Sequence, residues 1–492
     1  MSELNFLSVS EMAALIRRRE ITAAELVAAH LAQIERFNPR LNALVWVDRE
    51  GALRAADAAD RALASGAEPG PLHGIPITIK SSIDVAGWRC ESGTRLRAGR
   101  VAPNDAPLVA RLRKSGAILM GNTNTPELLM AYETDNALYG RTQNPWDLGH
   151  TPGGSSGGEA AAIAAGLSAA GVGSDGGGSV RVPAHYSGIC GLKPTPGRIP
   201  ATGHYPPSAG PFALIGVVGP MARTVRDLEI MLEVMAGQDD GDPSSVSAPV
   251  RRLTGEDVRA LRIGWFDEDD SAPATPETRA AVRHAAEILR QDGFTVSPFK
   301  PLQPDSLDDL GDLKNIPGLS GLAKARTLWW NIFGRAGGMI LRPMIAGHER
   351  DLSPIFKEFL EIVAEYPPLT ADELIETWVA RDSLRARLLH EMRQFPVFIC
   401  PVCSIPAFGH GEREWTVDGK RVTYLDAMSY TQWFNILGNP AVSVPLGTSP
   451  EGLPIGVQVV GRPYEEETVL AIAAAIERGG GWRRPTLARA NS

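Results

Sequence analysis

The chain has 492 residues, 43% of them hydrophobic, which is enough apolar sequence to bury a large core. Its formal net charge of −8 gives no electrostatic reason to expect a nucleic-acid partner. The first 20 residues are polar and charged, without the apolar run of a secretory signal. We therefore expect a cytoplasmic protein with no nucleic-acid partner and no membrane partner.

The N-terminal sequence predicts helices that cover a sheet. Apolar residues recur at helical spacing over residues 11–19, 23–37 and 49–65, and hydroxyl side chains stand where they can cap the first two of these segments. A short β-prone run at residues 43–47 lies between the second and third. We interpret residues 8–65 as an N-terminal helical region rather than as a carrier of chemistry.

A lysine ends an apolar segment early in the chain. The run GIPITIK, residues 74–80, follows a Gly-Pro turn and predicts a buried strand that ends at Lys80. An exposed lysine whose stem packs on the surface is the ordinary alternative. At the end of a buried strand, however, the charge has no favourable place. Beyond Lys80, residues 106–115 predict a helix and residues 117–120 a strand.

The densest signal lies in residues 151–194, where two glycine-rich turns each carry a serine. Ser155 lies in the first turn and Ser179 in the second. The alanine-rich residues 159–170 between them predict a buried helix, and residues 179–182 predict a strand that ends at a proline. The two serines can therefore face one another across the helix.

The glycines that precede Ser179 are candidates for anion binding. Gly176, Gly177 and Gly178 are consecutive, and a backbone of this kind can present several N–H groups to one point, as an oxyanion requires. Asp175 and Arg181 flank the turn, and we predict that they form an ion pair that fixes it rather than take part in the reaction.

Two generic motifs also match this stretch. Gly153-x-Ser155-x-Gly157 fits the nucleophile elbow of α/β-hydrolases, but the sequence before it is a poor strand. The other motif, Gly171-x-Gly173-x-x-Gly176, fits a dinucleotide-binding fingerprint, but it follows a predicted helix instead of a strand. A nucleotide-binding protein is therefore the alternative from a different functional class.

The residues around the two serines resemble the amidase signature family. The spacing between the serines equals that of the family, the run that ends at Lys80 fits a further family motif, and the second turn matches at Asp175, Gly177, Gly178, Ser179, Arg181 and Pro183. The resemblance implies that Ser179 is the acylated nucleophile and that Ser155, after a cis peptide bond, is a bridging serine. It also implies that a neutral Lys80 draws the proton from Ser179 through Ser155, with no metal or organic cofactor.

The resemblance extends to other parts of the chain. It makes Leu129 and Met130 candidates for the substrate pocket, with core packing as the alternative. It fades between about residues 302 and 392, a stretch rich in bulky apolar side chains such as Trp329 and Trp330. We predict a mostly helical insertion there that covers the mouth of the site and sets specificity, with ordinary packing onto the core as the alternative.

The whole chain, residues 1–492, is predicted to form one α/β domain around a central mixed β-sheet of about ten or more strands covered by helices. The core comprises residues 70–300 and 395–478. Strands are expected at residues 261–266 and 395–403, and the final helix at residues 466–477.

Cysteine usage adds no chemistry to this picture. The CxxC pair Cys400 and Cys403 lacks a second pair or a nearby histidine to complete a zinc site, and Cys90 and Cys190 are scattered. We predict reduced structural cysteines and no metal site.

The resulting hypothesis is a hydrolase that cleaves a small, fairly apolar amide, or an ester or carbamate, through a seryl acyl-enzyme. The alternative within the family is the A subunit of a glutamyl-tRNA amidotransferase. Those subunits usually carry Gln after the arginine that corresponds to Arg181, and this chain has Val182. Some segments also look like fatty acid amide hydrolases. The sequence leaves the oligomeric state open, with a homodimer among the options.

Overall fold

Helices form where a capping side chain precedes apolar residues at helical spacing. Thr22 accepts a hydrogen bond from the Glu25 amide, and the Glu25 carboxylate accepts one from the Thr22 amide. Ser8 and Glu11 repeat this arrangement at the first helix. Each of these capping boxes provides acceptors for backbone amides that the first turn of a helix leaves unpaired.

A computed structural model describes residues 4–251, 253–303 and 321–489. The α-helices are α1 (Val9–Arg17), α2 (Ala23–Leu41), α3 (Arg49–Ala64), α4 (Pro107–Lys114), α5 (Gly157–Ala164), α6 (Arg181–Ser187), α7 (Val225–Met235), α8 (Gly255–Arg259), α9 (Pro276–Gln291), α10 (Leu322–Trp330), α11 (Gly337–Ile345), α12 (Pro354–Ala364), α13 (Ala371–Glu391), α14 (Ser429–Ile436), α15 (Glu466–Glu477) and α16 (Thr486–Arg489). The strands are β1 (Leu44–Val47), β2 (Pro76–Lys80), β3 (Ile118–Thr123), β4 (Ala170–Asp175), β5 (Cys190–Lys193), β6 (Val217–Ala222), β7 (Arg262–Trp265), β8 (Thr295–Pro298), β9 (Val397–Pro401), β10 (Glu414–Val417), β11 (Lys420–Thr423), β12 (Ala441–Thr448) and β13 (Pro454–Gly461).

Eleven of the described strands form one mixed sheet, in the order β1-β3-β2-β4-β6-β5-β12-β13-β9-β7-β8. The remaining pair, β10 and β11, forms a separate hairpin. In the large sheet β2 is parallel to both of its neighbours, β3 and β4, whereas β12 and β13 pair antiparallel. The prediction of one α/β domain with a large mixed sheet covered by helices is confirmed.

The carboxyl ends of β2, β3 and β4 meet at one edge of this sheet. Lys80 is the last residue of β2 and pairs in register with Thr123, the last residue of β3. Asp175 is the last residue of β4. Parallel strands bring their carboxyl ends to the same edge, which is where open α/β sheets bind ligands.

Two elements of the central stretch differ from the prediction. The strand predicted at residues 179–182 is wrong, because α6 begins at Arg181 and places Pro183 in its first turn, where a helix does not use the missing N–H. The helix predicted over residues 159–170 ends at Ala164, and Ala170 begins strand β4.

Strand β4 contains glycines because its neighbours leave no space for a side chain. A Cβ at Gly171 would lie 1.7 Å from Glu159 Oε1, and one at Gly173 would lie 2.6 Å from Ser156 Oγ. Gly171 and Gly173 of the dinucleotide-like motif therefore lie inside this strand, whereas the fingerprint requires its first glycines to form the turn after a strand.

Helices α10 to α13, with a π-helical turn over Asn331–Ala336, occupy the predicted insertion. They bury aromatic side chains against α14 in a shared apolar cluster. The part of the predicted insertion at residues 304–320 lies outside the described residues.

Candidate active site

Lys80 lies at the centre of the carboxyl edge and is 0% exposed. Its Nζ contacts three serine hydroxyls, with distances of 2.7 Å to Ser155 Oγ, 3.0 Å to Ser156 Oγ and 3.0 Å to Ser174 Oγ. Within the described ranges it forms no ion pair with a carboxylate. Burial lowers the pKa of Lys80 from 10.5 to about 7, although the charges of Asp175 and Glu159 oppose this shift.

Ser155 lies in a tightly packed turn before α5. The Gly154–Ser155 peptide bond is cis, and Thr125 Oγ1 donates a hydrogen bond to the Ser155 carbonyl at 2.8 Å. A Cβ at Gly154 would lie 2.5 Å from the Glu133 carbonyl oxygen. The close packing holds the serine toward Lys80.

Ser179 is 9% exposed and lines the same cleft as Ser155. Its carbonyl accepts a hydrogen bond from the Ser156 amide at 3.2 Å, which ties the two serine turns together. The Ser179 hydroxyl makes no hydrogen bond to any residue that the structure describes. Hydrogen bonds between catalytic groups are often long before substrate binds.

The amides of the second turn fall into two groups. The Gly178 amide donates to Asp175 Oδ1 at 2.7 Å, and the Val180 amide donates to Asp175 Oδ2 at 3.2 Å. The amides of Gly176, Gly177 and Ser179 have no acceptor among the described residues. The expectation that Gly178 offers a free oxyanion donor is therefore corrected, because a carboxylate already occupies its N–H.

Side chains from distant elements hold the carbonyls of this turn. Trp329 Nε1, on α10, donates to the Gly176 carbonyl at 2.8 Å. Tyr132 Oη and Thr431 Oγ1 donate to the Gly177 carbonyl at 2.9 and 2.8 Å. Because the C=O and N–H of one peptide point in opposite directions, the Trp329 bond fixes the direction of the Gly177 N–H.

Asp175 and Arg181 form a fully buried bidentate pair, with distances of 2.9 and 3.0 Å. Arg181 also donates to Gln458 Oε1 at 2.6 Å, and the Asn435 amide group donates to Asp175 Oδ1 at 3.0 Å. Burial alone would raise the pKa of Asp175, but Arg181 holds it at about 2. The carboxylate is therefore ionised, and its two oxygens shape the turn.

Sequence reasoning missed a buried acid beneath Lys80. Glu159, on α5, accepts hydrogen bonds from Thr78 Oγ1 and, at 2.8 Å, from Thr123 Oγ1. Burial raises the pKa of Glu159 to about 8, against the effect of these hydrogen bonds and of the Lys80 charge. The available signal was a single acidic residue in an otherwise apolar helix.

Two clefts meet at Ser179. The first, here called the wide cleft, has about 870 Å³ of space including its open mouth, and its walls include Ser155, His204, Phe212 and residues of α11. The second, the aromatic slot, has about 500 Å³ and is lined by Tyr132, Trp329, Trp330, Ile355 and Phe359 among others. Leu129 and Met130 lie on the walls of both clefts.

Metal-binding clusters, disulfides and membrane-spanning helices were sought in the described ranges. No group of three His, Cys, Asp or Glu side chains there could hold a metal ion. All four cysteines are buried and unpaired. None of the described helices has the length and apolar character needed to cross a membrane.

The family model described as Amidase matches residues 25–470. The chain belongs to the amidase family. It is accordingly a hydrolase of the amidase signature type that acts on carbon–nitrogen bonds of amides, as the sequence resemblance predicted.

Individual relatives of this amidase-family chain carry different activities. It is 35% identical to the indoleacetamide hydrolase of Bradyrhizobium diazoefficiens over 96% of its own length and 86% of the relative's. It is also 35% identical to the A subunit of the glutamyl-tRNA(Gln) amidotransferase of Chloroflexus aggregans, over 100% of both chains. The solved structure of a bacterial aryl acylamidase superposes with a TM-score of 0.81 at 26% identity, covering 97% of each chain.

Proposed function

We propose that this amidase hydrolyses a small, fairly apolar amide through an acyl-enzyme on Ser179. The observation that carries the proposal is the Lys80 amine, which is buried without a carboxylate partner among the described residues and lies 2.7 Å from Ser155 Oγ. A lysine whose pKa is lowered by burial can accept a proton near neutral pH.

The reaction begins when Ser179 Oγ attacks the amide carbonyl carbon. Its proton passes to Ser155, and the Ser155 proton passes to Lys80. The oxyanion is bound by the free amides of Gly176, Gly177 and Ser179, and donors of this kind typically lower the barrier by about 3 kcal/mol each. The C–N bond then breaks as the relay returns the proton to the leaving nitrogen. Water cleaves the acyl ester, releases the acid and restores Ser179.

The apolar preference rests on the side chains that line the clefts. The charged side chains on the described walls are Asp175, which is paired with Arg181, and Glu358, which is paired with Arg413. No charged group on these walls remains to bind the ammonium and carboxylate of an amino acid. An aryl or alkyl amide fits the lining better, and an ester or carbamate with the same acyl group can follow the same steps.

The second candidate is the A subunit of an amidotransferase, and the full-length similarity to such subunits favours it. The lining of the clefts and Val182, at a position where those subunits usually carry Gln, oppose it. Ammonia release from glutamine that requires co-purified partner proteins would support this candidate. Turnover of an apolar amide by the purified chain alone supports the stand-alone amidase.

The test combines labelling with a substrate panel. A fluorophosphonate should modify wild-type protein at Ser179, and Ser179→Ala should abolish both the label and turnover of every amide in a panel of acetanilide, phenylacetamide, hexanamide and glutamine. Ser65→Ala, at an exposed serine, is the matched control and should keep both. A label that persists in Ser179→Ala would place the nucleophile elsewhere.

A further inference from the structure

The neutral form of Lys80 has fewer N–H groups than hydroxyl neighbours. An ammonium carries three N–H groups, whereas the uncharged amine carries two and one lone pair. Three hydroxyls surround Nζ, at 2.7 Å for Ser155 and at 3.0 Å for Ser156 and Ser174. When the amine is neutral, two of these hydroxyls accept an N–H and the third donates to the lone pair. The hydroxyl that donates sets the path of the proton.

Ser156 can only accept from Lys80. Its hydroxyl donates to the Ser174 carbonyl at 3.3 Å, and its oxygen accepts from the Ser174 amide at 3.2 Å. A hydroxyl has one hydrogen and two lone pairs, so the contact with Nζ uses the one lone pair that is left. The hydrogen that the lone pair of Lys80 binds therefore comes from Ser155 or from Ser174.

The distances and the proton relay both select Ser155 as the donor. Contacts with an O–H donor are shorter than contacts with an N–H donor, about 2.7 Å against about 3.0 Å, and Ser155 makes the 2.7 Å contact. The proposed function, on which this inference rests, also requires Ser155 to pass its proton to Lys80. Ser174 is then left to accept the second N–H, and its distance of 3.0 Å fits that role.

Ser174 is well placed to serve as this acceptor. It is the last residue but one of β4 and is 4% exposed. Among the described residues, the contact with Lys80 Nζ is the one hydrogen bond of its hydroxyl. The charged and titratable groups that face Lys80 from the surrounding elements are Asp175, Glu159 and His204. None of these three residues hydrogen-bonds to Nζ, so the direction of the lone pair depends on the hydroxyls.

We propose that Ser174 is a positioning residue, which accepts an N–H of neutral Lys80 and thereby aims the lone pair of the amine at Ser155. With Ser156 as the sole acceptor, the second N–H could point at Ser155, and the lone pair would then face away from the relay. An acceptor at Ser174 favours the arrangement in which the lone pair meets the Ser155 hydroxyl.

Contact with the leaving group is the alternative role for Ser174. Ser155 and Ser174 both line the wide cleft, and neither lines the aromatic slot. Since the leaving nitrogen takes its proton from Ser155, the leaving group lies in the wide cleft and the acyl group occupies the aromatic slot. The Ser174 hydroxyl could therefore bind the amine portion of the substrate, and its effect on the rate would then depend on the amine.

The experiment measures pH–rate profiles for an amide that wild-type protein hydrolyses. Ser174→Ala removes the acceptor, Ser174→Cys leaves only a weak acceptor of similar size, and Ser174→Thr keeps the hydroxyl. In the first two variants kcat on the high-pH plateau should fall about tenfold, the size of one neutral hydrogen bond. The midpoint of kcat/KM should move about one pH unit lower, because the ammonium form loses more than the neutral amine when an acceptor is removed. Ser174→Thr should restore both values.

Two comparisons show whether the effect passes through Lys80. Ser168→Ala removes another buried hydroxyl, which lies just before β4 and donates to the Ala170 carbonyl at 2.7 Å, and it should change neither the plateau nor the midpoint. Amides of one acid with different amines should all lose the same factor in Ser174→Ala. A loss that varies with the amine, an unchanged plateau, or a midpoint that stays or rises overturns the inference.

The outcomes separate this inference from the proposed function. Fluorophosphonate should still label Ser179 in Ser174→Ala, at a reduced rate. An unchanged pH–rate profile with labelling at Ser179 overturns the role of Ser174 alone and leaves the acyl-enzyme proposal intact. Wild-type protein that hydrolyses amides without labelling at Ser179 overturns the proposed function, and the inference on Ser174 fails with it.

Discussion

The side chain of Lys80 exchanges its hydration shell for three serine hydroxyls. Burial penalises the ammonium form, and the pKa falls to about 7. Of the three hydroxyls, Ser156 is further held by its hydrogen bond to the Ser174 carbonyl at 3.3 Å. Ser174 and Ser155 both line the wide cleft. Ser155 lies nearest to the amine, and we propose it as the hydroxyl that exchanges a proton with both Lys80 and substrate.

If Lys80 is the base, as proposed, its pKa is expected to set the pH dependence of kcat/KM. The base must be neutral, so kcat/KM should be low where Lys80 is protonated, rise through a midpoint at about pH 7 and stay level above it. A pH–rate profile of the wild-type protein tests the midpoint. Lys80→Met should cost about 10²-fold or more in kcat with the fold retained, whereas Lys114→Met, at an exposed lysine, should cost nothing. Near-normal activity of Lys80→Met at neutral pH would exclude Lys80 as the base.

Glu159 is expected to leave this midpoint in place. Its ionised form would favour protonated Lys80, but burial raises the pKa of Glu159 to about 8, so the acid is mostly protonated and uncharged at pH 7. Glu159→Gln resembles the protonated acid and can still accept from Thr78 and Thr123, so the acid limb of kcat/KM should keep its midpoint at about pH 7. A midpoint that moves to lower pH in this variant would show that Glu159 is ionised beside Lys80 in the wild-type protein.

At this scale the sequence predicted the positions of Lys80, Ser155 and Ser179, because each lies in a recognisable local pattern. Ser174, Glu159 and Trp329 could not be found in the same way. Their contacts with the site depend on which strands and helices pack together in three dimensions. The spacing of residues within one segment does not predict that packing. Gly178 was misassigned for the same reason, since its bond to Asp175 is set by three-dimensional geometry.

Among the elements, helix α10 holds residues 176–179, the turn that we propose binds the oxyanion. A Cβ at Gly177 would lie 2.5 Å from Trp329 Cζ2, so the helix packs against the bare backbone of the turn. Trp329 also stacks on Phe333, with ring centroids 4.7 Å apart. The insertion was predicted to cover the site and set specificity, but this contact means that its removal would disturb the oxyanion amides as well.

Removal of the hydrogen bond from Trp329 to the Gly176 carbonyl tests the effect of α10 on this turn. Trp329→Phe keeps an aromatic ring but loses the donor to the Gly176 carbonyl, so kcat should fall about tenfold with little change in KM. Labelling at Ser179 should persist at a reduced rate. The matched control is Trp330→Phe, because the neighbouring indole N–H has no hydrogen-bond partner among the described residues. Equal effects of the two substitutions would indicate lost packing instead of a lost hydrogen bond.

The two misjudged elements of the central stretch share a physical cause. Local propensity favoured a strand at Val180 and Val182 and disfavoured one at Gly171 and Gly173. Tertiary contacts decided otherwise, since Glu159 and Ser156 fill the space above the two glycines. The boundaries of the final helix, Glu466–Glu477, match the prediction.

In the whole molecule, the site is assembled from parts of the chain that are far apart in sequence. The sheet edge supplies the relay, residues 201–218 form one wall of the wide cleft, and α10 and α12 form walls of the aromatic slot. The overall fold could be predicted from the resemblance and the alternation of elements. The shapes of the clefts could not, because they arise where variable segments pack together.

This division of the molecule predicts that the two halves of the substrate can be recognised separately. Ile355 lines only the aromatic slot, and Phe212 lines only the wide cleft. Ile355→Ala enlarges the slot and should shift preference toward longer acyl groups, by about tenfold in relative kcat/KM for one or two added methylenes. Phe212→Ala enlarges the wide cleft and should shift preference toward bulkier amines by a similar factor.

A matrix of amides that varies the acid and the amine independently measures both effects. Each variant is the control for the other, since Ile355→Ala should leave the ranking of amines unchanged and Phe212→Ala should leave the ranking of acids unchanged. A reversed pattern, in which Ile355→Ala alters the ranking of amines, would mean that substrate binds in the opposite direction. Ser155 would then lie on the acyl side, too far from the leaving nitrogen to deliver its proton, and the relay through Lys80 would have to be abandoned.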